Sequence, residues 1–374
     1  MKTVFLIILL VLYNVFGYTQ TPHAVPDVFQ SIDSGKITTP VNWLSIRRPE
    51  IVRLFENNVY GQVPKAYDSL TYSITNQDGS ALQGKALLKE IDITLWRKQT
   101  PVTVQLVLYL PLSAKVPPPL FMYLKPDNPD GRVSQQTALQ PAQMLVDSGY
   151  AFAVFNVRDL APDNEIHYMD GVLRLYPDQL TRPNGMKAIS AWAWGASRVV
   201  DYLESENSVD VKAITLVGHG RVGETSLWAA ATDIRFAKVI SSCGSMAGSI
   251  RTVDVSLADP ASKYMYAGNY HRFAGRPDSL PVDQHMLIAA IAPRPVYIVT
   301  ASENLSFPPR AAFAAIRNAA PVYTLFKPIA EPVWDMPAPG KSLMAGPLVF
   351  RPSESIMKPG PVDWREFIFF VRSR

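Results

Sequence analysis

Residues Leu216–Trp228 read LVGHGRVGETSLW, and this stretch decides the fold. An apolar run that ends at Val217 predicts a buried strand over Ala213–Val217, and the apolar positions after it predict a helix over Arg221–Thr232. The glycine-rich segment between them permits a sharp turn, because glycine tolerates backbone conformations that other residues avoid. A buried strand, a sharp turn and a helix in this order form the repeating unit of a parallel α/β sheet.

The rest of the chain continues the alternation of strands and helices. The other predicted apolar strands are Leu120–Leu124, Ala151–Val157, Lys238–Ser242 and Pro295–Ala301. The other predicted helices are Ala142–Ser148, Lys187–Glu204, Asp283–Ile291 and, at the tail, Trp364–Val371. Three alternating runs nearer the N-terminus predict an antiparallel edge, formed by Ser69–Ile74, Gly84–Thr94 and Thr103–Leu110. Near-continuous apolar strands indicate a sheet covered on both faces, which carries its site at the carboxyl ends of the strands.

We therefore predict a three-layer α/β-hydrolase fold, with a mostly parallel central sheet, helices on both faces and an antiparallel N-terminal edge. In this fold the strand-to-helix turn reads Gly-x-Ser-x-Gly and holds a nucleophilic serine. Here the turn, Gly218–Gly223, reads GHGRVG, so that Gly220 stands where the attacking oxygen would be. Glycine has no side chain, and Gly220 cannot act as a nucleophile.

Glycine at this position also has a conformational consequence. The nucleophile of such a turn has a strained backbone with φ above zero, which glycine adopts without penalty. We predict that Gly220→Ser folds but is less stable than the parent, because serine would add roughly 1–3 kcal/mol of backbone strain.

Composition excludes several classes of function. Apolar residues make up 48% of the 374 residues, enough for a sizeable core, and charged residues only 18%. The net charge is +4 and no basic run exceeds Arg47-Arg48, so no nucleic-acid partner is expected. Cys243 is the sole cysteine, which rules out an internal disulfide. We expect a monomer with no cofactor and no metal.

The N-terminus predicts export. One lysine precedes an apolar run over Val4–Tyr13, which is short for a membrane-spanning helix and typical of a signal peptide ending near Gly17. We expect a signal peptide over residues 1–17, an N-terminal arm over 18–65 with a short helix at Arg48–Asn57, and the α/β-hydrolase domain over 66–374. The mature protein is then periplasmic or secreted, with no membrane segment.

Several longer stretches of the sequence together resemble one known protein family. The chain closely resembles the glucuronoyl esterases, the fifteenth carbohydrate esterase family, over nearly all of the mature sequence. The resemblance rests on Trp43, Arg47–Ile51, Leu54–Glu56, Val59–Gly61, Ala188–Gly195, Asp201–Glu204, Leu227–Ala229, Arg235–Ala237, Leu280–His285, Ala292–Tyr297 and Asp363-Trp364. It implies cleavage of esters between glucuronic acid on xylan and lignin alcohols, and some relatives are acetylxylan esterases.

The resemblance also assigns roles to the turn. The family turn reads Gly-x-Ser-Arg-x-Gly-Lys, in which the arginine helps to stabilise the oxyanion and the lysine contacts the uronic acid. In this chain the serine is Gly220, the arginine is kept as Arg221, and the lysine is Glu224. A tryptophan that lines the sugar pocket in the family would fall near Tyr264 and Tyr266.

The other catalytic positions differ as well. In the family a His-Asp segment shortly precedes Asp363-Trp364, so the histidine falls on Met357 and the next residue on Lys358, with a register that could slip by a residue or two. The last histidine of this chain is His285. The acid has two alternative places. One follows the strand Lys238–Ser242, at Cys243, and the other follows Pro295–Ala301, at Asn304 beside Glu303.

Several remaining residues have both a structural and a functional interpretation. We expect Cys243 to be a small core residue, His219 and His285 to belong to the scaffold, and the pair Trp192 and Trp194 to pack in the core. His167 is expected at the surface.

Polar residues close to the turn leave two alternatives open. Arg221 either serves the site or forms an ion pair, for which Glu224 is the near candidate. Asp159, Asp163 and Asp170 line a loop near the site, although their spacing fits no known metal-binding pattern.

Three hypotheses follow. The first is a non-catalytic member of the family that binds a uronic-acid-containing glycan or a partner. The second is an active ester hydrolase with an unrecognised nucleophile, and the third is a purely structural interaction domain. A hydroxyl or thiol beside a base at the cleft would favour the second hypothesis, and an open cleft with Arg221 exposed would argue against the third.

Overall fold

The computed structural model describes residues 25–127, 135–244, 262–301, 309–329, 334–353 and 359–374. A small ribbon comes first, formed by β1 (Gln30–Ser31) and β2 (Gly35–Lys36). The main sheet has ten strands in the order β11-β12-β10-β9-β8-β6-β7-β5-β4-β3. Their bounds are β3 Ser69–Asp78, β4 Ala86–Arg97, β5 Thr100–Pro111, β6 Pro119–Lys125, β7 Ala151–Asn156, β8 Asp210–His219, β9 Phe236–Ser242, β10 Val296–Ala301, β11 Leu343–Ala345 and β12 Leu348–Ser353.

The centre of the sheet is parallel and its flanks are antiparallel. Strands β7, β6, β8, β9, β10 and β12 pair in parallel. Strands β3, β4 and β5 form the antiparallel N-terminal edge, and β11 is antiparallel at the opposite edge. The predicted α/β-hydrolase architecture is confirmed, including the antiparallel edge.

Helices cover both faces of this sheet. The longer ones are α1 Arg48–Phe55, α2 Gln135–Asp147, α3 Ala188–Glu206, α4 Arg221–Thr232, α5 Gln284–Ala289, α6 Pro309–Phe326 and α7 Pro361–Arg372. Side chains of α2 and α7 pack on one face, around Phe121, Phe152 and Trp364. Side chains of α1 and α3–α6 pack on the other face, where Trp192 and Trp228 are fully buried.

Short helical segments connect these elements. The α-helical segments are Pro40–Asn42, Ala81–Gly84, Pro177–Thr181 and Ser262–Met265, and two π-helical turns lie at Trp43–Arg47 and Glu56–Tyr60. The 3₁₀ turns are Val157–Asp159, Val172–Leu175, Tyr270–Phe273 and Pro277–Ser279. Trp43, Phe55 and Tyr60 are fully buried, so the described part of the N-terminal segment shares the main core.

Among the elements absent from the sequence-based prediction are helix α6 and strands β11 and β12. Helix α6 contains Pro321, a residue that usually ends a helix. Strands β11 and β12 lie in a glycine- and proline-rich stretch that reads as loop. No helix in the described ranges is both long enough and apolar enough to span a membrane.

Candidate functional site

The glycine turn lies between β8 and α4, at the carboxyl edge of the parallel strands. Gly220 has φ +61° and ψ −135°, a left-handed conformation that residues with a side chain rarely adopt. Its N–H donates to the carbonyl of Ser242 at the end of β9 (2.9 Å), and its carbonyl accepts from the Gly223 N–H (2.8 Å). The turn has the strand-to-helix geometry that presents a nucleophile in active α/β-hydrolases.

The three glycines of the turn differ in the space around them. A Cβ at Gly218 would lie 2.0 Å from the Val222 carbonyl oxygen, and one at Gly223 would lie 3.1 Å from Gly244 Cα. A Cβ at Gly220 would meet no atom of the described residues within 4 Å. Close packing therefore requires glycine on both sides of the turn, whereas the centre faces open space and favours glycine only through its φ angle.

Arg221 is the first residue of α4 and remains partly exposed. Its Nη1 donates to both carboxylate oxygens of Asp163 (3.1 Å each) and lies 3.3 Å from the Tyr264 hydroxyl. Tyr264 donates in turn to Asp163 Oδ1 at 2.6 Å. Burial alone would lower the pKa of Arg221, but the charge of Asp163 raises it above its usual value. Arg221 therefore forms an ion pair with Asp163 and not with the near candidate Glu224.

Glu224 points away from the cleft. It is fully buried, and its two carboxylate oxygens accept hydrogen bonds from Tyr60 and Tyr266, each at 2.8 Å. Burial, and then the charge of Glu224, hold the pKa of both phenols well above the usual value. Because the phenols satisfy this carboxylate inside the protein, the structure does not support the prediction that Glu224 and Tyr266 line an open ligand pocket. Tyr264 is also buried, at 4% exposed, and its hydroxyl contacts Asp163 and Arg221.

Cys243 ends β9 next to the turn. Burial raises the pKa of its thiol to about 11, so the thiolate needed for attack is scarce at neutral pH. The hydroxyl of the preceding residue, Ser242, does have a base beside it. Ser242 Oγ lies 3.2 Å from His219 Nδ1. Ser242 is only 3% exposed, and burial lowers the pKa of His219, which keeps the imidazole neutral.

The remaining predicted residues lie outside the cleft or in the scaffold. His285 is buried and its Nε2 lies 3.0 Å from the Pro26 carbonyl, and Trp192 donates to the Ala161 carbonyl at 2.7 Å. Both scaffold assignments are confirmed, as is the burial of Trp194. His167 is exposed and pairs with Asp170.

Only one of the three acidic loop residues reaches the site. Asp163 contacts Arg221, whereas Asp159 accepts from the Gln105 N–H at 3.0 Å. Within the described ranges no three His, Cys, Asp or Glu side chains gather as a metal site would require. Glu303, Asn304, Met357 and Lys358 lie outside the described residues.

Two buried residues in the surroundings of the turn and of α3 gave no signal in the sequence. Tyr60 belongs to a string that reads as scaffold, yet it holds Glu224. Lys187 was placed at the start of a helix on periodicity alone, yet it is a buried lysine near Tyr168. The sequence did offer one indication for Lys187, because it is a charged residue directly before a helix whose first turns are apolar.

Known proteins match this chain over its fold and sequence. Residues 124–326 match the family model described as glucuronyl esterase, fungi. Carbohydrate esterase MZ0003, from an unknown prokaryotic organism, is 31% identical over 83% of this chain and 81% of its own length. The glucuronoyl esterase from Solibacter usitatus is 27% identical with a TM-score of 0.83, covering 94% of this chain and 97% of that one. A promiscuous CE15 esterase from the marine bacterial metagenome is 27% identical with a TM-score of 0.82, covering 94% and 96%.

Proposed function

The chain belongs to the CE15 glucuronoyl esterase family, and from this premise we propose that it is an exported, non-catalytic member that binds a uronic-acid-containing glycan. The single observation that carries the proposal is Gly220. It has the backbone conformation of a nucleophile turn and no described atom within 4 Å of where a Cβ would lie, but no hydroxyl.

Ester hydrolysis by this family of folds needs a nucleophile, a base that takes its proton and an acid that orients the base. Gly220 supplies no nucleophile, and no histidine follows His285 in the sequence. Cys243, at one of the two acid positions, is not a carboxylate. Loss of nucleophile or base alone costs several orders of magnitude in rate, which supports a protein without esterase activity.

Binding is supported by what the cleft retains. Arg221 is 40% exposed at its side chain, and only its Nη1 donates to described residues. Its Nε and Nη2 face no hydrogen-bond partner in the described part of the chain, so a fork of two donors is available to a carboxylate. Glycine at position 220 leaves room for that carboxylate beside the guanidinium.

Family membership suggests which polysaccharide carries this ligand, and the N-terminus suggests that the protein is exported to it. Glucuronic acid on xylan is the uronic acid that the esterase resemblance points to. The apolar leader over residues 1–17 supports export, with the N-terminal arm over 18–65 and the main domain over 66–374 in the mature protein. The protein would then meet the polysaccharide in the periplasm or outside the cell.

Calorimetric titration with sodium glucuronate tests the binding. We expect the wild type to bind and Arg221→Gln to bind about tenfold more weakly, because a charge-assisted pair is lost. Arg182→Gln is the matched control, since Arg182 is an exposed arginine in an ion pair with Asp178 elsewhere. Equal affinity of the wild type and Arg221→Gln, or no binding by the wild type, would refute the proposal.

A second candidate function has one observation in its favour. The Ser242 hydroxyl lies beside a neutral His219, and the charge of Asp363 acts on that ring, so a serine, a base and an acid lie close together. Two observations count against this second function. Ser242 is almost fully buried, and Asp363 already pairs with Arg351 and accepts a hydrogen bond from the Gly360 N–H. A fluorophosphonate probe distinguishes the two: labelling that disappears in Ser242→Ala would favour a hydrolase.

A further inference from the structure

A pocket lies at the edge of the sheet that is formed by β11, away from the glycine turn. Strands β12, β10 and β9 separate β11 from β8, the strand that leads into the turn. The pocket has a volume of about 140 Å³. Its lining residues come from α6, from the chain that follows α6 and from β11, and they are Arg317, Ala320, Pro321, Thr324, Ile329, Trp334 and Ala345. None of them belongs to the turn, so the pocket is a separate site.

Small side chains on two elements leave this space open. Ala320 of α6 and Ala345 of β11 both line the pocket and are buried, at 7% and 1% exposed. The four lining residues of α6 follow the three- and four-residue spacing that places helical side chains on one face. A larger side chain at position 320 would therefore project into the pocket and fill it.

Packing against the core fixes two of the walls. The Trp334 indole lies edge-on to Phe313, with ring centroids 6.0 Å apart, and Phe313 contacts Phe350 of β12 at 5.3 Å between centroids. The side chain of Ile329 lies against the backbone of Gly346, where an added Cβ would come within 2.7 Å of it. Because buried neighbours hold these side chains, the pocket is formed before a ligand arrives, as ligand sites usually are.

The volume and the walls together select a small aromatic ring. An apolar cavity of about 150 Å³ holds one benzene molecule, so this pocket matches a single six-membered ring. The side chains of Ile329 and Pro321 offer no hydrogen bond to the hydroxyls of a sugar, and burying those hydroxyls here would be costly. The Trp334 indole favours a planar ring, which contacts it in a stacked or edge-on arrangement.

The rim of the pocket adds one positive charge. Arg317 is exposed, and it is the only charged residue among those that line the pocket. A guanidinium presents two parallel N–H donors to a carboxylate, an arrangement that matches the geometry of this anion. A ring that carries a carboxylate at one end therefore complements both the apolar walls and the charged mouth.

We propose that this pocket binds a monocyclic aromatic carboxylate, with the ring against Trp334 and the carboxylate on Arg317. The site goes beyond glycan binding at the glycine turn, because it shares neither its residues nor its class of ligand with Arg221. Together with the proposed function, it gives the protein two anion sites, one for a sugar acid and one for an aromatic acid.

The experiment is an NMR titration of the tryptophan indole N–H signals of the full chain with sodium benzoate. The chain has 7 tryptophans, and Trp334→Phe assigns the signal of Trp334. We expect benzoate to move this signal in a saturable manner, because the benzoate ring lies against the indole. The signals of the fully buried Trp43, Trp192 and Trp228 should stay in place. No saturable change at Trp334 would overturn the proposal.

Two further compounds test the chemistry of the ligand. Benzyl alcohol has the ring without the charge, and we expect it to bind about tenfold more weakly than benzoate, because the charge-assisted pair is lost. Cyclohexanecarboxylate has the charge without the aromatic ring, and it should bind severalfold more weakly, because a chair-shaped ring does not stack on an indole. Equal affinity for benzoate and either compound would overturn the assignment to an aromatic acid.

Variants of the lining test the place of binding. Arg317→Gln should weaken benzoate binding about tenfold and leave benzyl alcohol binding unchanged. Arg310→Gln is the matched control, because Arg310 is an exposed arginine of the same helix that does not line the pocket. Ala320→Leu should fill the pocket and abolish the response of Trp334, and a thermal melt close to that of the wild type shows that this variant is folded.

The same titration separates this pocket from the glycine turn. Benzoate affinity that is unchanged in Arg317→Gln would overturn the proposal. Affinity that is lost in Arg221→Gln and kept in Arg317→Gln would place benzoate at the turn, and would refute the pocket while the glycan site stands. A failure of glucuronate to bind would refute only the proposed function, since the two sites have no residue in common.

Discussion

Arg221 and Glu224 lie one turn apart on α4, and their surroundings are opposite. Arg221 keeps 40% of its side chain exposed, and its Nε and Nη2 are unused by the described residues. Glu224 is fully buried, and two phenols satisfy its carboxylate. In the family this chain belongs to, the resemblance assigns both positions to the site. Here only Arg221 still faces the cleft, and Glu224 has become part of the core.

Two positions one turn apart on the same helix therefore belong to different parts of the molecule, one to the core and one to the partly exposed edge of the glycine turn. The Glu224 network joins three separate segments, because Tyr60 follows α1, Glu224 lies in α4 and Tyr266 follows the Ser262–Met265 helix. The Tyr60 ring also stacks on Trp228, with centroids 4.6 Å apart. We therefore expect stability at this place to depend on Glu224, whereas the proposed function assigns ligand recognition to Arg221.

The largest expected effect is therefore at Glu224. Glu224→Ala removes the acceptor of two buried phenols, and we expect it to lower the free energy of unfolding by about 4 kcal/mol. Glu224→Gln keeps the shape and one acceptor oxygen, and its amide N–H can donate to the other phenol oxygen, so it should cost less than about 1 kcal/mol. Urea unfolding of both variants measures the difference. Equal, small losses for Ala and Gln would contradict a buried hydrogen-bond network.

A pH effect of intermediate size is expected at Asp159. Burial raises its pKa from 3.8 to about 6, so the folded state holds its proton more tightly than the unfolded state. The contribution of Asp159 to the free energy of unfolding is therefore fully present below about pH 4 and is lost as the pH rises through about 6. The whole change amounts to at most about 3 kcal/mol. Asp159→Asn should be about 2 kcal/mol more stable than the wild type at pH 8 and equal to it near pH 4. A stability difference that does not change with pH would exclude this origin.

Gly220→Ser is expected to cause the next largest change in stability. The open space around Gly220 accommodates the side chain, but φ +61° strains it, and we expect a loss of about 1–2 kcal/mol. Gly79→Ser is the matched control, because Gly79 also has open space around it and lacks a left-handed φ. Thermal melts compare the two variants. A Gly220→Ser protein as stable as the wild type would contradict the strained-turn interpretation.

The smallest effect on stability is expected at Arg221. Its ion pair with Asp163 is partly exposed, and such pairs contribute about 0–1 kcal/mol. Arg221→Gln should therefore melt close to the wild type, in contrast to Glu224→Ala. A loss as large as that of Glu224→Ala would mean that Arg221 serves the core, and would weaken its assignment to ligand binding.

The sequence predicted the layout of the sheet well, because buried parallel strands carry a strong apolar signal. Helix α4 was predicted to the residue, since the glycines before Arg221 and the apolar stripe after it mark its bounds. Helix α6 was missed because its signal conflicts with an internal proline. The φ angle of Gly220 was also predicted, since the turn type dictates it.

Side-chain partners were harder to predict than elements. Helical spacing favoured an ion pair of Arg221 with Glu224, but Arg221 binds Asp163, which is 58 residues away along the chain. Tyr60 lies 164 residues from the Glu224 carboxylate that it contacts. Such pairings are set by how distant segments pack, and a local pattern carries no information about them. The burial of Lys187 escaped prediction for the same reason.

The central claim is the absence of esterase activity, and hydrolysis of a benzyl glucuronate ester tests it most directly. The purified protein, Arg221→Ala and a buffer blank are followed by chromatography of the released acid over many hours. We predict the same rate in all three samples, because no nucleophile stands at position 220 and no histidine follows His285. Turnover above the blank that falls in Arg221→Ala would show a working catalytic site over the turn and contradict the account.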